Sequence, residues 1–89
     1  MSIGSSLDEV PILFDGYICP KVNFSNVDSY CHFNVYNENG IHIFTQQISA
    51  TRNYTYSHYG NYVPVKAGWK FKFVNGTGSN TFYYIFTHL

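Results

Sequence analysis

SYCHFNVYNENGIHIFTQQI, residues 29–48, is the stretch that decides the fold class of this chain. Before the turn, the apolar residues Cys31, Phe33 and Val35 alternate with polar or tyrosine side chains. Alternation with a period of two places the apolar residues on one face of a β-strand. The asparagine-glycine pair at 39–40 then supplies the two positive φ angles that a tight hairpin turn requires. The stretch therefore predicts a β-hairpin with one apolar face.

The position of the turn also predicts the register of the hairpin. The pairs expected across it are Val35 with Phe44 and Cys31 with Ile48. The opposite face is expected to carry Tyr30, His32, Asn34, Tyr36, Ile43 and Thr45. In this register His32 and His42 lie on opposite faces, so we expect no metal site shared between them.

Similar alternation recurs on both sides of the hairpin, and no long stretch shows helical spacing. The chain is therefore predicted to be all-β, a small antiparallel β-sandwich or jelly roll of about 7–8 short strands. Residues 10–89 form the single predicted domain, after a flexible leader or linker at 1–9. The expected core residues are Phe33, Val35, Phe44, Trp69, Phe71 and Phe73.

Length and charge exclude several classes of protein. A chain of 89 residues forms one small domain. Its five Lys and Arg residues balance five Asp and Glu residues, so it lacks the basic surface that binds nucleic acid. No apolar run is long enough for membrane insertion. With 20% aromatic and only 11% charged residues, the chain has the composition of a folded protein.

The reactive side chains do not form a recognisable catalytic motif. Cys19 and Cys31 lack the spacing of zinc or redox sites, which leaves buried thiols or a disulfide between neighbouring strands. Asp15, Asp28 and Glu38 each stand alone beside a turn, whereas acid–base catalysis needs carboxylates close together or beside a histidine. We therefore expect no enzymatic activity, no metal and no cofactor.

Tyrosines and small polar residues are concentrated between residues 53 and 62. Tyrosine offers a large contact area at low entropic cost, and this composition is typical of recognition loops. Aromatic rings also stack on sugar faces while amides bind sugar hydroxyls. The alternative is that these tyrosines pack a small core and its rim. The candidate ligand-binding residues are Tyr54, Tyr56, His58, Tyr59 and Asn61.

Three short segments resemble a known family. Asp15-Gly16-Tyr17 follows a short apolar strand, YVPVKAG spans 62–68, and TFYYIF spans 81–86 near the end of the chain. In this order they resemble the C-terminal receptor-binding, or fibre-tip, domains of bacteriophage tail-fibre-type proteins. The chain departs from that pattern at Trp69, where an acidic residue usually follows the glycine.

The resemblance implies a homotrimeric β-sandwich of a virion, which caps a fibre and recognises a host-surface glycan or receptor. It implies no catalytic residues. A final strand that is apolar on both faces agrees with a trimer, and Tyr17, Tyr83 or Ile85 is expected at the subunit contact. Two alternatives stay open: a free-standing, lectin-like carbohydrate-binding module and a purely structural trimerisation domain.

Overall fold

The structure, a computed structural model, describes residues 2–4, 7–25, 28–50, 57–78 and 80–89. Within these ranges the chain forms nine strands and no helix, so it offers no helix that could cross a membrane. The strands are β1 (Ser2–Gly4), β2 (Val10–Pro11), β3 (Gly16–Phe24), β4 (Tyr30–Tyr36), β5 (His42–Ser49), β6 (Ser57–Tyr59), β7 (Val63–Val65), β8 (Lys70–Thr77) and β9 (Asn80–His88).

The described strands form two antiparallel sheets. The first sheet has the order β1-β9-β3-β6, and β7 pairs with the same strand β3. The second sheet has the order β2-β8-β4-β5. Two such sheets around a shared core confirm the predicted all-β sandwich. Within the expected leader, Ser2–Gly4 pairs with β9.

Aromatic rings from both sheets meet in the core. Phe73 of β8 stacks on Phe82 of β9, with 4.7 Å between ring centroids. Phe71 meets Tyr84 edge-on at 5.0 Å. Because β8 and β9 belong to different sheets, these two contacts join the halves of the sandwich. Phe33 packs beside Phe71 and Phe73 within the second sheet, at 5.4 and 5.1 Å.

The predicted core is largely confirmed. The fully buried members are Phe33, Val35, Phe71 and Phe73. The prediction is wrong for Phe44 and Trp69, which are only half-buried and pack against the core from its rim. Both line a groove that opens at one edge of the sandwich, so water reaches one side of each.

The hairpin follows its predicted register until close to the turn. There the expected pair of positive φ angles is wrong, because Gly40 has a φ of +79° but Asn39 does not have a positive φ, and the Asn37 N–H donates to the Ile41 carbonyl at 2.9 Å. The confirmed pairs are Val35 with Phe44 and Cys31 with Ile48. A β-bulge then shifts the register, so that Tyr36 pairs with His42 and Ile43 is skipped. Ile43 was expected on the outer, polar face, but it lines the groove beside Phe44.

The bulge also corrects the expected placement of the histidines. The His42 ring lies 5.2 Å from that of Tyr36, and its Nε2 contacts the Thr45 hydroxyl, so His42 lies on the outer face. His32 also occupies that face, so the prediction of opposite faces is wrong. His32 nevertheless pairs with Gln47, five residues along β5 from His42. In the described part of the chain, no three His, Cys, Asp or Glu residues are grouped to hold a metal.

Both cysteines are buried and free, so the disulfide alternative does not hold. The Cys19 thiol donates to the carbonyl oxygen of Gly60 at 3.3 Å, and Cys31 is fully enclosed in the core. Burial raises the pKa of both thiols, that of Cys31 to about 12. Both therefore remain protonated at neutral pH and are poor nucleophiles.

Candidate functional site

The structure separates the candidate ligand-binding residues. Tyr54 and Tyr56 lie outside the described residues. His58 and Tyr59 are neighbours in β6, and successive side chains of a strand point to opposite faces. Asn61 follows in the loop between β6 and β7.

His58 faces the core side of the first sheet, where its ring meets Phe24 edge-on at 5.2 Å. Tyr59 is 59% exposed on the outer face of that sheet. Asn61 lines the groove at the sandwich edge. The three described candidates thus contribute to three different surfaces, and they do not form one site.

The groove at this edge has a volume of about 440 Å³, and we call it the edge groove. The second sheet forms one wall, and the segment from the β6–β7 loop through β7 forms the other. Trp69, just before β8, forms the remaining part of the lining. The lining residues are Val35, Ile43, Phe44, Asn61, Tyr62, Val63, Pro64 and Trp69.

Gln46 of β5 fixes the loop at 60–62 across the gap between the sheets. Its Oε1 accepts a hydrogen bond from the Asn61 backbone N–H at 2.9 Å, and its Nε2 donates to the Asn61 carbonyl at 3.2 Å. The Gly60 N–H donates to the Pro20 carbonyl at 2.9 Å. A Cβ at Gly60 would lie 2.5 Å from Gln46 Oε1 and 2.7 Å from Pro20 Cγ, so this approach requires glycine. The loop is therefore held in place before any ligand arrives.

Trp69 reaches the edge groove because a tight turn at 66–68 reverses the chain between β7 and β8. Gly68 has a φ of +93°, a conformation that favours glycine. The Trp69 N–H donates to the Lys66 carbonyl at 3.1 Å, and the Trp69 carbonyl accepts from the Ile12 N–H at 2.8 Å. Backbone bonds on both sides of Trp69 thus set the position of the half-buried indole.

The edge groove combines aromatic surface with a hydrogen-bonding amide. Tyr62 is 53% exposed, and Trp69 keeps part of its ring open to solvent. Among the described residues, the hydrogen bonds to Asn61 use its backbone, and its side-chain amide forms none. Small-molecule sites typically join an apolar lining with a few placed polar groups.

A second cavity, of about 380 Å³, opens at the opposite edge of the sandwich. One side of this cavity is formed by β2 and the residues that follow it, and the other side by the end of β9. The lining residues are Pro11, Ile12, Leu13, Phe14, Ile18, Phe71, Tyr84, Phe86 and His88. Because no side-chain amide or carboxylate lines it, this cavity offers fewer groups for a polar ligand than the edge groove.

The outer face of the first sheet carries the residues expected at a subunit contact. In the β3–β9 register, Tyr17 lies opposite Thr87, Cys19 opposite Ile85, and Lys21 opposite Tyr83. Alternation along the strands places all of these side chains on one face. Tyr17 is 43% exposed and Ile85 is 37% exposed.

Sequence reasoning did not assign Gln46, Tyr62 or Trp69 to the site. Tyr62 lies at the end of the tyrosine-rich segment, so composition alone would have included it. Trp69 was visible as the departure from the fibre-tip pattern. Gln46 gave no signal, because its role depends on a contact between the two sheets.

No protein-family profile matches the chain, and neither a curated protein nor a solved structure matches it. The resemblance to fibre-tip domains therefore remains a prediction from three short motifs. The function has to be inferred from the chemistry of the edge groove and of the outer face.

Proposed function

We propose that this chain is a non-enzymatic binding domain whose edge groove recognises a sugar of a host-surface glycan. The observation that carries the proposal is a groove lined by the exposed Tyr62, the half-buried Trp69 and Asn61, with a loop that is already fixed. From the resemblance of its motifs, we place the domain at the tip of a bacteriophage tail-fibre-type protein, where it acts as part of the virion.

A sugar suits this groove for physical reasons. One face of a pyranose ring exposes mainly C–H groups, which pack against tyrosine and tryptophan rings. Its hydroxyls need donors and acceptors, and an amide supplies both. A volume of about 440 Å³ lies within the usual range of small-ligand sites. Since Gln46 already orders the loop, little conformational entropy is lost on binding.

Tyr62→Ala is the direct test of the groove. We expect at least a roughly 30-fold loss of affinity, the effect of removing a central aromatic contact. A glycan array of host-cell polysaccharides identifies a ligand for the wild type, and calorimetry with a monovalent fragment measures affinity. The matched control is Phe14→Ala, which removes an aromatic ring of the same 53% exposure beside the other cavity and should leave affinity unchanged.

Two outcomes would contradict the proposal that the edge groove binds a sugar. One is a wild-type domain that binds no glycan on the array. The other is a Tyr62→Ala variant that binds as tightly as wild type. If Tyr59→Ala lowers the affinity for that ligand and Tyr62→Ala does not, the sugar binds on the outer face of the first sheet instead.

We also propose that the domain assembles as a homotrimer through the outer face, at the end that carries Tyr17 and Ile85. Tyr83, also expected at the contact, lies further along β9 opposite Lys21, and we place it outside the contact. The side chains of Tyr17 and Ile85 are exposed, and a lone β-domain of this size buries a smaller fraction of its surface than larger domains do. Association with two further copies would cover these side chains. Each contact of a stable trimer should bury more than about 1,000 Å².

Light scattering after size-exclusion chromatography tests the trimer. The expected mass is three times the 10.3 kDa of one chain. Ile85→Lys should give monomers because it places a charge in the contact, whereas Ile41→Lys, at an exposed hairpin position, should leave the trimer intact. A wild-type monomer at micromolar concentration would contradict the trimer and favour a free-standing carbohydrate-binding module. A trimer without glycan binding would favour a purely structural trimerisation domain.

A further inference from the structure

Three neighbouring strands place Tyr59, Lys21 and Tyr83 in one row on the outer face of the first sheet. Lys21 pairs with Tyr59 on one side and with Tyr83 on the other. The Lys21 ammonium lies 5.6 Å from the centre of the Tyr59 ring and 4.9 Å from that of Tyr83. Both distances lie within the range of cation–π attraction. We call this row the Lys21 platform.

Lys21 is half-buried, and its ammonium has no described carboxylate as a partner. The ion pair found among the described residues joins Lys70 and Glu9, at 3.7 Å, on the other sheet. The two rings stabilise the charge of Lys21 but provide no anionic oxygen for its three N–H donors. The platform therefore presents a positive charge whose natural counterpart is missing from the described surface.

The hydroxyls of the row add donors to this charge. The Asn23 amide donates to the Tyr83 hydroxyl oxygen at 3.4 Å, so the O–H of Tyr83 is available to donate elsewhere. Tyr59 is 59% exposed, and its hydroxyl bonds to no described residue. An ammonium and two phenol groups in one row favour a ligand with several acceptor oxygens and a negative charge.

We propose that the Lys21 platform binds the carboxylate of an acidic sugar, with Lys21 paired to the carboxylate and a tyrosine ring against the sugar's apolar face. A single lysine matches the single charge of a carboxylate, whereas sites for the more highly charged phosphate usually combine a lysine with further donors such as arginine or a helix N-terminus. The platform and the edge groove lie on different surfaces and share no residue. Either site therefore functions without the other.

Titration followed by NMR tests the platform, with a glucuronate disaccharide and its neutral methyl ester as probes. We expect saturable shifts of the Lys21, Tyr59 and Tyr83 signals with the acid, and about tenfold weaker binding of the ester. Lys21→Met keeps the aliphatic stem and removes the charge, so it should lower affinity for the acid about tenfold. Lys72→Met, the same charge change on the other sheet, should have no effect.

The outcomes separate this proposal from its alternatives. Equal binding of acid and ester, or wild-type affinity in Lys21→Met, would overturn it. Displacement of the acid by sulfate at the same concentration would identify a general anion site and overturn the preference for a carboxylate. Tyr62→Ala should leave glucuronate binding unchanged, so failure of the edge groove and failure of the platform are distinguishable.

Discussion

Replacement of Phe71 by alanine is expected to lower the free energy of unfolding by about 3–5 kcal/mol. Phe71 is 1% exposed and packs against Phe33 in its own sheet and Tyr84 in the other. Removing its ring leaves a cavity between two sheets whose hydrogen-bonded strands cannot simply close over it. Small domains are stable by only about 5–15 kcal/mol, so the loss is a large part of the total.

Urea unfolding followed by Trp69 fluorescence measures this effect, at one fixed protein concentration because assembly also changes stability. Val74→Ala is the matched control, since Val74 lies on the same strand but is 38% exposed. Its cost should stay below about 0.5–1 kcal/mol. If Phe71→Ala costs no more than Val74→Ala, Phe71 does not occupy the core.

The hairpin shows which parts of the fold follow from local sequence. Its alternation predicted which residues face the core, because strand period is a local property. The turn itself pairs Tyr36 with His42, and the predicted pairing of Val35 with Phe44 is reached only across a bulge. The bulge beside that pair was not predicted. Ile43 and Phe44 are consecutive apolar residues, and a regular strand cannot turn both toward one side. The bulge allows both to line the edge groove.

The candidate site was predicted less well because its parts meet through the fold. Composition indicated a tyrosine-rich recognition segment. In the short strand β6, however, the side chains of His58 and Tyr59 point to opposite faces of the sheet. The edge groove depends on the turn that brings Trp69 back and on the bond from Gln46 across the sheets. Neither contact has a signature in a single stretch of sequence.

The Lys21 platform also depends on contacts between distant parts of the chain. Tyr59 and Tyr83 are far apart in the chain and become neighbours of Lys21 only because β6 and β9 pair with opposite edges of β3. Sequence alternation placed Tyr83 on a strand face but gave no information about the strands beside it. The sequence analysis therefore lacked the strand order, which depends on long-range packing.

Gly16 is a residue whose role depends on such long-range packing. It is buried at the start of β3, between Val65 of β7 and His88 of β9. A Cβ at this position would overlap the Thr87 carbonyl oxygen and lie 2.8 Å from Phe86 Cζ. The preceding Asp15 accepts hydrogen bonds from Ala67 N–H at 2.9 Å and Leu89 N–H at 3.3 Å. The Asp15-Gly16 pair thus joins the end of β9 to the turn after β7.

Gly16→Ala is expected to cost about 3 kcal/mol, the upper part of the usual range for overpacking. The new methyl group meets backbone that is paired in a sheet, so the strand has to separate from β9 to make room. Gly40→Ala is the control, because Gly40 has a φ of +79° and open space around it. It should cost only the roughly 1–2 kcal/mol of left-handed backbone. Hydrogen exchange should also speed up at Thr87 and His88 in Gly16→Ala alone. Equal costs for the two variants, with unchanged exchange at β9, would show that β3 and β9 do not approach this closely.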